Sequence, residues 1–245
     1  MPSEVSDRLP PRMTTTLETR APVALSLRRK PIIGVVRTAA TAEAGRQARA
    51  LMTAGIELIE ITFTVPGAAG LAQELLAERG AAGPPWIGMG TVTTAARARE
   101  ALDVGAEFLV SPNVNAAVAQ AAREAGRFLV LGALTPTEIV TAHELGADIV
   151  KVYPLPPVGG AAYLATVRQP LGDIPMLAAG GFGIGDIPAY QRAGAAAFGI
   201  GFPLLAGRMD APPTVLREHV ARALRLALGS EPVAGGSGQA GEERP

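Results

Sequence analysis

Residues 145–154 read Leu-Gly-Ala-Asp-Ile-Val-Lys-Val-Tyr-Pro. The glycine suits the left-handed residue that follows a helix C-terminus, and the aliphatic run after it is typical of a buried parallel strand. The same joint, a helical stretch ending in glycine followed by an aliphatic strand, recurs along the chain. The joints are Ala54-Gly55, Arg79–Gly83, Val104-Gly105, Ala125-Gly126, Leu145-Gly146, Leu171-Gly172 and Ala193-Gly194.

Each joint predicts one strand, and residues 31–36 supply an opening strand. The predicted strands are Ile56–Ile61, Trp86–Met89, Glu107–Val110, Phe128–Leu131, Asp148–Val152, Ile174–Leu177 and Ala196–Ile200. The joints recur every ~20–28 residues, which is enough for one helix, one strand and two short loops. Eight such units in about 200 residues predict a TIM (β/α)8 barrel. A doubly wound sheet is the alternative, but it rarely needs eight evenly spaced parallel strands, and no G-x-G-x-x-G follows the first strand.

The predicted organisation is a single barrel domain between two loose ends. Residues 1–13 and 229–245 are rich in Pro, Gly, Ser and charge, which indicates flexible segments. The barrel domain is predicted over residues 14–228. It begins with a short helix over 14–29 that Pro22 interrupts.

The composition excludes several classes of function. The 245 residues include 22 basic and 22 acidic side chains, so no basic surface for nucleic acid or anionic lipid is predicted. There is no cysteine, and the two histidines, His143 and His219, lie beside glutamates and are predicted to be surface residues, so no metal site is predicted. No run reaches the ~18 apolar residues of a membrane helix, and the first 30 residues lack a signal core. A soluble, cytoplasmic protein is expected.

Polar residues and glycines collect at one rim of the predicted barrel. Barrel active sites lie at the C-terminal ends of the strands, so these residues indicate an enzyme. They are Arg37, Glu60, Thr62, Thr64, Gly90, Thr91, Ser111–Asn113, Gly132–Thr135, Lys151, Tyr153, Gly180, Gly181 and Gly199–Gly201.

Lys151 is the sharpest candidate among them. Of the 22 basic residues only Lys30 and Lys151 are lysines, and Lys151 lies in the middle of a predicted buried strand. Strand side chains alternate, so Lys151 shares a face with Ile149 and Tyr153, whichever face is the lumen. Desolvation favours the neutral amine, which can attack a ketone. The alternatives are a lysine paired with a carboxylate inside the barrel, or one that reaches the rim.

Glu60 and Arg37 are further candidates. Glu60 shares a face with Leu58 and Thr62, from which it could relay protons to and from chemistry at Lys151. The alternative is an ion pair with Lys151 or Arg37. Arg37 ends the first strand and could hold a carboxylate by two parallel hydrogen bonds, or form a surface ion pair.

Gly180, Gly181 and Gly199–Gly201 follow the last two predicted strands. Barrels often bind phosphate there through main-chain N–H groups, which need glycine for close approach. Tight turns are the alternative explanation of these glycines.

Five motifs in chain order resemble one family. Glu60-Ile61-Thr62, Gly88–Val92, Ser111-Pro112-Asn113, Lys151–Pro154 and Ala179-Gly180-Gly181 are similar to motifs of the 2-keto-3-deoxy-6-phosphogluconate (KDPG) aldolase family, which includes the 2-keto-3-deoxy-6-phosphogalactonate and 4-hydroxy-2-oxoglutarate aldolases. The resemblance covers roughly residues 30–207. It implies a metal-free and cofactor-free class I aldolase, a homotrimer of TIM barrels acting on a 2-keto acid.

The resemblance also assigns roles. It makes Lys151 the Schiff-base lysine and Glu60 the general acid and base, with Thr91 helping to hold the carboxylate of pyruvate. Arg37 matches the strand-one arginine of the galactonate-type branch, whereas the phosphogluconate type has an arginine at the position of Thr64. The remaining residues expected to contact substrate are Pro112, Tyr153, Gly180, Gly181, Gly201 and Phe202.

Three departures from the family pattern bear on the substrate. Ala179 stands where many members have threonine, Phe202 where a serine usually faces the phosphate, and Leu131 where proline is common. The pyruvate half of the site is therefore expected to be intact and the distal half altered.

The predicted reaction is reversible cleavage of a 2-keto-3-deoxy-(phospho)sugar acid or 4-hydroxy-2-keto acid to pyruvate and an aldehyde, such as glyceraldehyde 3-phosphate or glyoxylate. One alternative is a barrel isomerase or synthase acting on a sugar phosphate, with Lys151 only as a charge. The other is a non-catalytic trimeric barrel.

Overall fold

Eight parallel strands close into a barrel in chain order, with β8 hydrogen-bonded to β1. The computed structural model describes residues 16–80, 83–205 and 207–230. The strands are β1 (Ile32–Val36), β2 (Leu58–Thr62), β3 (Trp86–Gly90), β4 (Phe108–Val110), β5 (Phe128–Ala133), β6 (Ile149–Val152), β7 (Met176–Ala179) and β8 (Ala197–Ile200). The predicted TIM barrel is confirmed, and every predicted strand is present.

Helices surround the barrel and cover one of its ends. They are α1 (Thr16–Arg29), α2 (Thr41–Ala54), α3 (Ala68–Arg79), α4 (Ala95–Asp103), α5 (Ala116–Glu124), α6 (Pro136–Glu144), α7 (Gly160–Arg168), α8 (Ile187–Arg192) and α9 (Pro213–Ala227). Short 3-10 turns lie at Pro156–Val158, Ile184–Asp186 and Phe202–Leu204. None of the described helices is long and apolar enough to span a membrane.

Alternation along the strands separates two apolar cores. The outer core contains the buried residues of α2 to α9 and strand residues such as Val150 and Val152, so it lies between the sheet and the helices. The inner core contains strand residues such as Leu58 and Ile149 and no residue of those helices, so it fills the lumen. This assignment shows which side chains point into the barrel.

Helix α1 closes the N-terminal end of the lumen. Its Val23 and Leu27 belong to the inner core, and the indole Nε1 of Trp86 donates a hydrogen bond of 2.8 Å to Ser26 Oγ. Pro22 lies inside this helix, so the expected interruption does not occur. Burial of Val23 and Leu27 offers a reason, since packing can outweigh one lost main-chain hydrogen bond.

The joint between α7 and β7 differs from its prediction. Gly55 and Gly146 have φ of 87° and 91°, as expected just past a helix end, but Gly172 lacks a positive φ because α7 already ends at Arg168. Strand β7 begins at Met176 and not at Ile174. The Ile174 amide is used in a turn with Leu171, and Pro175 has no N–H to donate to the sheet.

The predicted flexible segments lie mostly outside the described residues, namely 1–13 and 231–245. Gly229 and Ser230 are described, and their amides bind the carbonyls of Leu226 and Arg225 in the last turn of α9. The flexibility of both ends stays a prediction.

Candidate active site

A cavity of about 400 Å³ opens at the C-terminal ends of β1, β6, β7 and β8. The predicted site residues that it brings together are Arg37, Lys151, Tyr153, Gly180, Gly181, Gly201 and Phe202. Five further residues complete its lining, namely Val35, Pro154, Ala179, Gly199 and Pro203. The cavity lies at the rim where the sequence predicted the chemistry.

Lys151 projects into the lumen. It shares its face with Ile149 of the inner core, while Val150 and Val152 point to the outer core. Its side chain is buried, with 8% exposure, and Nζ lies 5.3 Å from the ring centroid of Tyr153. Among the described residues no carboxylate comes within 4.0 Å of Nζ, so the alternative of a buried ion pair is not formed. The amine is free to meet a ligand in the cavity.

Glu60 is a second buried polar group of the lumen. It lies on β2, shares a face with Leu58 of the inner core and is 2% exposed. Its carboxylate occupies the space above Gly90, where an added Cβ would overlap Oε1, Cδ and Cγ. Oε1 is buried without a hydrogen-bond partner, and within the described chain Glu60 pairs with neither Lys151 nor Arg37. Since an unsatisfied buried carboxylate is costly, this atom is well suited to bind a polar ligand.

Arg37 reaches from the end of β1 towards the loops after β2 and β3. Its Nη1 donates to Thr64 Oγ1 at 3.3 Å, and its Nη2 donates to Thr91 Oγ1 at 3.4 Å. Thr64 in turn shares a hydrogen bond of 2.8 Å with Thr62. The expected alternative, a surface ion pair, is absent from the described residues. Because the partners of the Arg37 guanidinium are neutral hydroxyls, no described carboxylate offsets its positive charge, which can therefore attract an anionic ligand.

Thr91 has an unusual backbone conformation. Its φ of 59° is the single positive value of a non-glycine residue in the described ranges, and this region is unfavourable for a β-branched side chain. Arg97 stabilises the turn: its Nη1 donates to the Thr91 carbonyl at 3.2 Å and to Thr93 Oγ1 at 3.1 Å, and its guanidinium lies 5.4 Å from the Phe63 ring centroid. The conformation places the Thr91 hydroxyl beside Arg37.

Sequence reasoning missed Arg97. A signal existed, because Arg97 lies in the first turn of α4, where the helix dipole disfavours a cation. A basic residue at that position suggests a local partner that outweighs the dipole. Here the partners are the Thr91 carbonyl and the Thr93 hydroxyl.

Of the predicted site residues, Glu60, Thr91 and Pro112 are not part of the cavity lining. The main chain of Pro112 packs against Gly132 of β5, where an added Cβ would overlap the Pro112 carbonyl. Gly180 has a similar packing requirement: its φ is 133°, and an added Cβ would lie 2.8 Å from the Leu155 nitrogen. Contact between Pro112 and substrate stays a prediction.

The two histidines differ in their surroundings. His143 is exposed, as predicted, whereas His219 is half-buried on α9 with no described hydrogen-bond partner for Nε2. Burial, with the positive charges of Arg208 and Arg222, lowers the pKa of His219. Neither histidine lines the cavity.

Known proteins share this fold and sequence pattern. The family described as "Aldolase: KDPG and KHG aldolase" matches residues 23–210. The 2-dehydro-3-deoxy-phosphogluconate aldolase of Treponema pallidum (strain Nichols) is 32% identical over 165 residues, covering 67% of this chain and 77% of the relative. The 2-dehydro-3-deoxy-6-phosphogalactonate aldolase of Escherichia coli (strain K12) is 30% identical over 176 residues, covering 71% and 84%.

A solved structure described as native KDPGal is also similar. It superposes with a TM-score of 0.71 at 26% identity, covering 82% of this chain and 95% of the other. Matches of sequence and fold over most of the chain favour the predicted aldolase over the isomerase and non-catalytic alternatives. The chain therefore belongs to the KDPG and KHG aldolase family of class I lyases.

Proposed function

We propose that Lys151 forms a Schiff base with the keto group of a 2-keto-3-deoxy sugar acid or related 4-hydroxy-2-keto acid, which is cleaved reversibly to pyruvate and an aldehyde. The observation that carries the proposal is the Lys151 amine. It points into the lumen, is 8% exposed, has no carboxylate partner among the described residues and lines the same cavity as Arg37. An amine that faces a cavity and has no carboxylate partner is open to the keto group of a ligand, which suits it to act as a nucleophile.

The reaction would proceed through an iminium ion. Nζ of Lys151 adds to C2 of the substrate, and loss of water from the carbinolamine gives the iminium. Removal of the proton from the C4 hydroxyl breaks the C3–C4 bond, the aldehyde leaves, and the bonding electrons move into the iminium to form an enamine. Protonation at C3 and hydrolysis then release pyruvate and return the free amine.

Glu60 is the proposed proton carrier of these steps. Its Oε1 lies in the lumen without a partner, so it can accept and return protons directly or through a water. No other carboxylate belongs to the buried residues of the described chain. Glu60 would take the C4 hydroxyl proton and deliver a proton to C3.

Arg37 and Thr91 are the proposed carboxylate site. Nη2 of Arg37 and the Thr91 hydroxyl already lie 3.4 Å apart, and both can donate hydrogen bonds to a carboxylate bound beside them. Tyr153, whose ring lies beside Lys151 Nζ, would pack against the Schiff base. Fixing the carboxylate orients C2 for attack by the amine.

The test uses the scarcity of lysine in this chain. Wild type is incubated with pyruvate and sodium borohydride, and intact mass and peptide mapping locate the reduced adduct. One adduct on the peptide that contains Lys151 is expected. The variant Lys151→Met keeps a side chain of similar length without an amine and should give no adduct and no turnover.

Lys30 supplies the matched control because it is the chain's other lysine. It forms an ion pair of 3.1 Å with Glu57 at the opposite end of the barrel, and Lys30→Arg keeps that charge. This variant should form the adduct as wild type does. An adduct that persists in Lys151→Met, or wild type without any adduct, would overturn the proposed mechanism.

A homotrimer of such barrels also stays a proposal, drawn from the family resemblance. Sedimentation velocity would test it directly. A species of about 75 kDa, three times the 25.0 kDa of the chain, is the expected result.

A further inference from the structure

A chain of hydrogen bonds runs from the Arg37 guanidinium back to the main chain at the end of β1. Arg37 Nη1 donates to Thr64 Oγ1 at 3.3 Å, and Thr64 Oγ1 lies 2.8 Å from Thr62 Oγ1. Thr62 Oγ1 in turn donates to the Val36 carbonyl at 3.0 Å. Since Val36 directly precedes Arg37, the chain ties the arginine side chain to its own strand through two threonines, one at the end of β2 and one in the turn after it.

The direction of these bonds follows from the hydroxyl protons. A carbonyl can only accept, so the hydroxyl proton of Thr62 goes to Val36. Thr62 therefore accepts from Thr64, and Thr64, whose proton is used in that bond, accepts from Arg37. The lone pairs of Thr64 thus face the cation. Hydrogen bonds that run in one direction polarise and strengthen one another.

Thr62 is the anchored member of the chain. It is the last residue of β2, on the face shared with Glu60, and its side chain is fully buried, at 0% exposure. The Val65 amide binds the Thr62 carbonyl at 2.9 Å, and this turn brings Thr64 back towards Thr62. Thr64 and Arg37 are both exposed, so packing does not hold them in place. The buried hydroxyl is therefore the fixed point from which the exposed guanidinium is positioned.

The chain occupies only part of the Arg37 guanidinium. Nη1 is bound to Thr64 and Nη2 to Thr91, and each of these nitrogens has a second N–H that can serve a ligand. Arg37 lines the cavity, whereas Thr62 and Thr64 do not. The Thr62 and Thr64 hydroxyls can thus act on a bound carboxylate only through the arginine.

We infer that Thr62 is a positioning residue, which sets the place of the Arg37 guanidinium and thereby the affinity and selectivity of the site for a 2-keto carboxylate. This inference rests on the proposed function, because it takes Arg37 as the partner of the substrate carboxylate. Without the Thr62 hydroxyl, Thr64 loses its acceptor, Val36 loses a donor, and more positions become open to the arginine. Ordering that side chain on binding then costs part of the binding free energy. A keto acid should bind more weakly, whereas a keto compound without a carboxylate should be little affected.

The test measures Schiff-base formation with pyruvate and with its uncharged analogue pyruvamide, so that no aldehyde is needed. Each protein is titrated with either compound and trapped with borohydride, and intact mass gives the concentration for half-maximal adduct. Thr62→Val, which keeps the shape without the hydroxyl, should raise this concentration for pyruvate about tenfold, the effect of one lost hydrogen bond. The value for pyruvamide should change by less than about twofold, because pyruvamide has no carboxylate for Arg37 to bind. Thr62→Ser keeps the hydroxyl and should restore most of the affinity for pyruvate.

Two further variants complete the test. Thr64 is exposed, so Thr64→Val breaks the chain without touching the core, and it gives the same readout if Thr62→Val does not fold. Thr166→Val removes a hydroxyl that donates to the Ala162 carbonyl at 2.9 Å on α7, outside the cavity lining, and should behave as wild type. An adduct on wild type with unchanged pyruvate affinity in the Thr62 and Thr64 variants, or with equal losses for pyruvate and pyruvamide, would overturn this inference and leave the proposed function standing. Absence of the adduct from wild type would overturn both.

Discussion

Arg97 on helix α4 donates a hydrogen bond of 3.2 Å to the main-chain carbonyl of Thr91. Thr91 has φ of 59°, a conformation that costs a non-glycine residue about 1–2 kcal/mol. The bond helps to keep the Thr91 hydroxyl next to the Arg37 guanidinium. A residue outside the cavity thus holds part of the proposed carboxylate site.

Replacing Arg97 by glutamine should weaken binding of the keto acid more than it slows chemistry. We expect KM for pyruvate in the synthetic direction to rise about tenfold with kcat nearly unchanged, and the free energy of unfolding to fall by about 1 kcal/mol. Steady-state kinetics and urea unfolding measure the two effects. The exposed Arg99, on the same helix, gives the control Arg99→Gln. Partial recovery of KM in Arg97→Lys is expected, and an unchanged KM in Arg97→Gln would contradict the positioning role.

Gly90→Ala should disable the enzyme through Glu60. The new methyl group would overlap the Glu60 carboxylate, which must move from its place in the lumen. We expect kcat to fall about 100-fold, the size of a lost general acid–base contribution. Gly70→Ala in α3 is the control: its Cβ meets nothing within 4 Å, so activity should persist while the free energy of unfolding rises by about 0.5–1 kcal/mol. Equal activity of the two variants would show that the position of Glu60 does not matter.

Glu60→Gln separates stability from activity. Glutamine has nearly the same shape but cannot exchange protons, so kcat should fall by about 10²–10⁴-fold. Because Oε1 of Glu60 is buried without a partner, loss of the charge should leave the free energy of unfolding unchanged or raise it. Kinetics and chemical denaturation are measured on the same preparation. A clearly destabilised variant with near-normal kcat would indicate a structural role for Glu60.

His219 should make the fold sensitive to mild acid. Burial and the charges of Arg208 and Arg222 lower the pKa of His219 below 6.5, so the unfolded chain binds this proton more readily than the folded one. The free energy of unfolding should therefore fall as the pH drops through about 6.5, and the loss should end below the lowered pKa of the folded state. His219→Gln should reduce the slope of the free energy of unfolding against pH between pH 7.5 and 5.5, measured by urea unfolding at each pH. His143→Gln removes an exposed histidine and should leave the slope as in wild type; identical slopes in all three proteins would refute the prediction.

The barrel could be predicted from the sequence because its helix ends and strands are each marked by short local patterns. Gly55 and Gly146 mark helix ends, and the short aliphatic runs after them favour buried strands between helices. The predicted starts of β2 and β7 were each two residues early, and at β7 Pro175 cannot donate a hydrogen bond to the sheet. Strand boundaries depend on which amides find partners, and that is decided by neighbouring strands.

The site was less accessible to sequence reasoning. The types and order of Glu60, Thr91 and Lys151 were visible, but alternation alone left open which face of β6 is the lumen. Packing of Ile149 in the inner core resolves that point. The strained φ of Thr91 and its support by Arg97 depend on contacts between a loop and a helix, for which no periodic pattern exists.

The helix at the N-terminal end of the barrel has a kinetic consequence. Val23 and Leu27 of α1 fill that end, so substrate and products would pass through the opening beside Phe202. Lys151 is buried, whereas Phe202 is half exposed, so Lys151 lies deeper in the barrel. Under the proposed mechanism a substrate would enter with its keto acid leading. Pyruvate, tethered to Lys151 as an enamine, would then depart after the aldehyde. Pyruvate should then inhibit cleavage competitively and the aldehyde non-competitively. The covalent bond to Lys151 sets this order of release, and helix α1, by closing the other end of the lumen, leaves both products the same exit.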